Sequence, residues 1–227
     1  IAQCLVGSEM CIRDRYEYLK ENYGENTPIY IARLKIEGMS ENTLRQQIKR
    51  LTDAGLLKRY DTGIYFIPQK SVFKSGSTLS VEQVLNDKYL REGEKRCGYQ
   101  SGILFANQLG LTTQIPMLYE IVTNKASREY REITIAKTRV ILRRPRTEIN
   151  EDNFRALQFL DLIKDVDQIS ELEGKRLTER LLAYMRACPL YFDDLEPFLS
   201  LYPDKLFRNL YEGGLMDGIP AQKQRTV

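Results

Sequence analysis

The chain has 227 residues, 42% hydrophobic and 29% charged, with a formal net charge of +3, which suggests one large domain or two small ones of ordinary globular composition. No apolar run approaches the roughly 20 residues that cross a bilayer, so a cytoplasmic protein with no membrane partner is expected. Histidine is absent and the four cysteines (Cys4, Cys11, Cys97, Cys188) form no CxxC, which excludes His-based triads and His metal sites, argues against a zinc ribbon, and leaves carboxylate and lysine chemistry open.

The first segment, Ile1–Arg15, has no clean helical or strand period, and its basic residues follow the apolar stretch instead of preceding it as in a signal peptide. Leu5–Arg15, LVGSEMCIRDR, is similar to the conceptual translation of a transposon-end adapter. Residues 1–15 are therefore expected to be non-native, with the natural start missing. Cys4 and Cys11 then lie outside any function.

Residues 16–69 read as a winged helix-turn-helix. Tyr16–Tyr23 would be the remnant of a first helix. Thr27 and Pro28 fit the cap and first position of a short second helix, with Ile29, Ala32, Leu34 and Ile36 supplying its apolar residues. Gly38 makes the turn, Ser40 caps a third helix, and Gly55 stops it. In that third helix Leu44, Ile48 and Leu51 fall at i, i+4 and i+7 and share one face. The opposite face carries Asn42, Gln46, Lys49 and Asp53, flanked by Thr43, Arg45 and Arg50. Arg and Lys neutralise phosphates, while Gln, Asn and Arg pair with base edges, so the mixture suits a duplex; a solvated surface is the plainer alternative. Leu56–Tyr60, the turn Asp61-Thr62-Gly63 and Ile64–Ile67 predict a hairpin whose Lys58 and Arg59 could lie along the DNA backbone.

Residues 70–79, rich in Ser and Gly, read as a linker. A mixed α/β domain is expected over 80–147. Ser80-Val81-Glu82-Gln83 predicts a capped helix to about Arg91, followed by a charged loop over Glu92–Arg96. Gly98–Gly102 would open an apolar helix through Leu109. Strands are predicted at about Met117–Thr123, Arg131–Ile135 and Arg139–Arg143. Arg139, Arg143, Arg144 and Arg146 form a basic stretch, either a surface for nucleic acid or an acidic partner, or an edge hairpin whose charges block aggregation. Residues 148–227 turn helical, with stripes at Phe154, Leu157, Leu160 and Ile163, at Leu177, Leu181, Leu182 and Met185, at Leu195, Phe198 and Leu199, and at Leu206, Leu210 and Tyr211. The expected fold is α+β: a winged helix-turn-helix, a mixed α/β domain, and a C-terminal helical bundle.

Two stretches resemble a known family, the AbiEi-type antitoxins of bacterial abortive-infection, type IV toxin–antitoxin systems. One is AGLLKRYDTGIYFIP (Ala54–Pro68); the other is GYQSGILFANQLGLTTQIPMLYEIVTNK (Gly98–Lys125) with the arginine-rich strands to Arg146. The resemblance implies an antitoxin that represses its own operon through the winged helix. It also implies a second domain that opposes a nucleotidyltransferase-like toxin without a stable complex. DNA contact would then fall on Asn42, Thr43, Arg45, Gln46, Lys49, Arg50, Lys58, Arg59 and Tyr65. The antitoxic surface would include Arg139, Arg143, Arg144 and Arg146. No catalytic residue, cofactor or metal is expected.

Two other readings compete. A winged-helix regulator whose second domain binds a ligand or dimerises has the same sequence signature. A metal-dependent nuclease would draw on Glu120, Lys125 and Glu132, but the spacing of a carboxylate-and-lysine metal site is missing, and ion-pair roles are the simpler expectation.

Overall fold

The computed structural model describes residues 2–69, 77–212 and 214–215, with side chains from residue 12 onward. The fold is mixed α+β, with eight α-helices and three sheets among the described residues. It divides into two compact units, Ile1–Leu85 and Asn86–Val227.

The first unit contains α1 (Ala2–Tyr23), β1 (Ile29–Tyr30), a 3₁₀ turn (Ile31–Arg33), α2 (Glu41–Asp53), β2 (Lys58–Asp61), β3 (Ile64–Phe66) and α3 (Val81–Leu85). Ser40 caps α2, its hydroxyl accepting from the Thr43 amide at 3.2 Å. At the other end Gly55, with φ +73°, ends the helix. The Gly55 amide donates to Thr52 O and the Leu56 amide to Leu51 O, the paired bonds of a Schellman ending, which needs a left-handed residue at that place. Leu44, Ile48 and Leu51 are buried against Leu19 of α1 and against Ile29, Leu34, Leu57 and Ile67. The β2–β3 hairpin forms around Asp61-Thr62-Gly63, and β3 sits at the centre of an antiparallel sheet of order β1-β3-β2.

The expected second helix is not formed. Ile29 and Tyr30 instead pair with Tyr65 and Ile64 of β3, and only Ile31–Arg33 curls into a 3₁₀ turn. The β-branched and aromatic run at 29–31 suits a pleated surface, and β3 offers it an edge. Thr27 caps nothing; its hydroxyl donates to Glu25 O at 3.4 Å. The first helix also extends back to Ala2, through the segment expected to be non-native.

Most of the expected linker, residues 70–76, lies outside the described residues. The boundary between units falls later than expected, after α3. Ser80 caps α3 as the sequence suggests, its hydroxyl accepting from the Gln83 amide. However, Val84 and Leu85 are fully buried, and the Tyr30 hydroxyl donates to Val84 O at 3.2 Å, which ties α3 to the first unit.

The second unit opens with a π-helical turn, Asn86–Leu90, so the helix expected to reach Arg91 ends one residue early. The predicted charged loop is a small hairpin, β4 (Arg91–Glu92) with β5 (Lys95–Arg96). Gly98–Ser101 is strand β6, not the start of a helix; α4 spans Gly102–Gln108. A side chain at 98 would collide with the carbonyl oxygens of Tyr89 and Val122, so the glycine serves close backbone approach. Strands β7 (Leu118–Thr123), β8 (Tyr130–Ile135) and β9 (Thr138–Arg143) follow as predicted. The sheet order is β6-β7-β9-β8, with β7 and β9 parallel and the other pairs antiparallel.

Helix α5 (Phe154–Ile169) is the axis of this unit. Its Leu157 packs with Tyr99, Val122 and Ile149 on the sheet side. Phe159, Leu160 and Ile163 pack with residues of α4, α6 (Gly174–Ala187), α7 (Phe192–Leu199) and α8 (Asp204–Glu212). Because α5 contributes to both cores, 80–147 and 148–227 do not separate as the sequence suggested.

Candidate nucleic-acid interface and a charged cleft

On α2 the buried stripe fixes which residues face outward. Asn42, Thr43, Arg45, Gln46, Lys49 and Arg50 are all exposed, as is Arg59 on β2; Lys58 and Tyr65 are half-buried. Arg45 reaches back to Glu41 at 3.3 Å, with both side chains more than half exposed, a pair too solvated to hold the guanidinium in place. Among the described residues neither Lys49 nor Arg50 has an ionic partner. Arg59 folds over the hairpin tip, donating to Asp61 O and to the Thr62 hydroxyl at 3.4 and 3.3 Å. Tyr65 lines a cleft of about 700 Å³ together with Ile31, Leu34, Met39 and Arg45, between the 3₁₀ turn, the start of α2 and the hairpin tip. Sequence reasoning missed Lys35, an exposed cation lining the same cleft, because that segment was expected to be helical.

Three of the four expected arginines of the second unit have partners. Arg139 pairs with Glu132 across the hairpin at 2.7 Å. Arg143 reaches Glu120 at 3.3 Å. Arg146 donates to Leu201 O at 2.9 Å and lies 4.6 Å from the Tyr202 ring centroid. Arg139 stands near the start of β9, whereas Arg143, Arg144 and Arg146 line one cleft of about 970 Å³ with Asp161 and Lys164 of α5. The structure thus brings three of the four expected arginines together and leaves out the fourth.

The register explains the cleft. Tyr99, Val122, Arg143 and Tyr130 are consecutive cross-strand partners, a row running over all four strands. Side chains in such a row share a face. Helix α5 covers the Tyr99–Val122 end of it. Asp161 and Lys164 stand one helical turn apart on α5, and Asp161 is one turn beyond the buried Leu157. The Tyr99 hydroxyl donates to Asp161 Oδ2 at 2.7 Å. Burial holds the Asp161 carboxyl above its ordinary range, against the opposing pull of that hydrogen bond and of Lys164, Arg143 and Arg146. Burial likewise pushes the Tyr99 and Tyr202 phenols up. Lys164, only 9% exposed, donates to Asp165 at 2.6 Å. Asp161 and Lys164 gave no signal in the sequence, where they fall in an acidic helical stretch.

The residues weighed for a nuclease are occupied separately. Glu120 holds Arg143, Glu132 holds Arg139, and the Lys125 ammonium donates to the carbonyls of Lys88 and Arg91 at 3.2 and 3.0 Å. Among the described residues no three carboxylates or thiols gather into a metal-binding group, and Cys97 and Cys188 are free thiols. No described helix is long and apolar enough to cross a membrane. A family model described as "Family of unknown function (DUF6088)" matches residues 27–181, more than half of the chain and parts of both units. No curated protein matches it.

Proposed function

The chain belongs to the DUF6088 family of unknown function, and we propose that it is a DNA-binding regulator whose first unit is a winged helix-turn-helix. The observation that carries this reading is α2: Leu44, Ile48 and Leu51 are buried while Asn42, Gln46, Lys49 and Arg50 are exposed. The order α1, β1, turn, α2, β2, β3, with a sheet of order β1-β3-β2, supports it, the second helix being reduced to a 3₁₀ turn. In this reading α2 enters the major groove, where Asn42, Thr43, Arg45 and Gln46 reach base edges and Lys49 and Arg50 contact phosphates. Lys58, Arg59 and Tyr65 belong to the wing and lie along the backbone.

The wider role is that of a type IV antitoxin that represses its own operon and opposes a nucleotidyltransferase-like toxin without a stable complex. Its support is the family resemblance of Ala54–Pro68 and Gly98–Arg146. A gel-shift titration with the DNA upstream of its gene tests the regulator. Specific binding should weaken in Lys49→Ala and Arg50→Ala, and each lost phosphate contact should flatten the salt dependence by about one unit of log–log slope. Equal affinity for random-sequence DNA would overturn autorepression. Rescue of growth on co-expression with a neighbouring toxin tests the antitoxin. The second unit's cleft favours one other reading, a winged-helix regulator with a ligand-binding domain.

A further inference from the structure

The cleft of the second unit goes beyond the DNA reading and does not depend on it. Its cations are Arg143, Arg144, Arg146 and Lys164; the carboxylates facing the same space are Glu129, Glu148 and Asp161. Glu129 and Glu148 are exposed, whereas Asp161 accepts from the Tyr99 hydroxyl through Oδ2 and also interacts with the Tyr202 phenol. A guanidinium carries about five N–H donors and an ammonium three. Arg143, Arg146 and Lys164 each have one described hydrogen-bond acceptor. Arg144 is exposed and has none among the described residues. Most donors are therefore left for a ligand with many acceptor oxygens, and guanidinium groups match the geometry of phosphate.

The space, about 970 Å³, is far larger than one phosphate needs and lies in the range of sites for cofactor-sized molecules, roughly 300–1,000 Å³. Tyr130, paired directly across from Arg143, is 56% exposed and presents an aromatic face at the cleft. Asp161 brings a carboxyl to the same space, an acceptor for a donor on the ligand. We propose that the cleft binds a nucleotide, with its phosphates on Arg143, Arg144, Arg146 and Lys164, its base against Tyr130, and a ribose hydroxyl donating to Asp161.

Isothermal titration of the full chain tests this with ATP, GTP, CTP and UTP, the matching nucleosides, inorganic triphosphate, and a single-stranded oligonucleotide. At least one nucleoside triphosphate should bind saturably, more tightly than inorganic triphosphate, and its nucleoside should not bind. Arg144→Ala and Arg146→Ala should each weaken it by about tenfold, the loss expected for a charge-assisted contact. Tyr130→Ala should narrow the preference over inorganic triphosphate. Arg144 has no described partner to lose, so its variant should melt at the parent temperature. The proposal falls if no nucleotide saturates by about 5 mM, a level at which any binding is marginal. It falls equally if both arginine variants bind as the parent does, if inorganic triphosphate binds as tightly as every nucleotide, or if the oligonucleotide alone binds.

Discussion

On α2 the cations stand away from the fold, whereas three of the four in the second unit's cleft are tied into it. Lys49 and Arg50 flank a buried leucine stripe but are themselves exposed. Arg143, Arg146 and Lys164 are held by Glu120, by Leu201 O with the Tyr202 ring, and by Asp165. The difference teaches where a substitution should register. A side chain anchored only by its backbone can be removed at little cost to folding, so its loss should appear in binding. A side chain inside a hydrogen-bonded cluster contributes to folding as well, and its removal leaves buried groups unpaired. The largest test sets neighbours on α2 against each other. Leu51→Ala, at a fully buried site, should cost about 2–5 kcal/mol in urea unfolding. Lys49→Ala should stay within about 0.5 kcal/mol. A comparable loss in both would mean that the polar face of α2 is structural.

Next in size is Tyr99→Phe. The ring is buried against Val122 and Leu157 and its hydroxyl serves Asp161. Phenylalanine keeps the packing and strands a desolvated carboxyl oxygen, so the loss should be about 1–3 kcal/mol in the same assay. If it is unmeasurable, the cleft is no more tightly built than α2. Ser40→Ala gives a smaller effect, about 1 kcal/mol, because one exposed amide at the start of α2 loses its acceptor. Here the comparison sharpens. On the proposed readings, fraying of the first turn should also lower DNA affinity through Asn42 and Thr43, while leaving nucleotide binding in the second unit unchanged.

What the sequence disclosed followed from local signals. Ser40, the i, i+4, i+7 leucine–isoleucine stripe and Gly55 bounded α2, and Asp61-Thr62-Gly63 marked the hairpin. Alternation of β-branched residues placed β8 and β9. The misreadings share one cause, a partner distant in the chain. Ile29 and Tyr30 became a strand because β3 was there to pair with. By local spacing Gly98 reads as a helix opener, although its small size answers to Tyr89 and Val122. Of the candidate interface, the exposed face of α2 was legible because helical period alone assigns it. Of the cleft, only the arginines were legible. Asp161 and Lys164 join them through the register of four strands and the seat of α5 on one end of that row, and neither relation is written in local spacing.

The last prediction concerns Asp161, and its signature is a slope rather than a size. Burial holds this carboxyl above its ordinary range despite Tyr99, Lys164, Arg143 and Arg146. As pH rises past the ordinary value, about 4, the unfolded chain ionises at this position before the folded one does. Over that window the folded state binds more protons, so Asp161 contributes stability at low pH that is lost as pH rises through the folded value. Asp161→Asn is neutral throughout and can still accept from Tyr99. The stability difference between variant and parent should therefore move in the variant's favour between about pH 3.5 and pH 7, read from urea midpoints. No such drift should follow Lys49→Ala, a substitution on α2 outside the cleft. A drift in the parent's favour would mean that the three neighbouring cations outweigh burial, and that the cleft holds a stably ionised carboxylate.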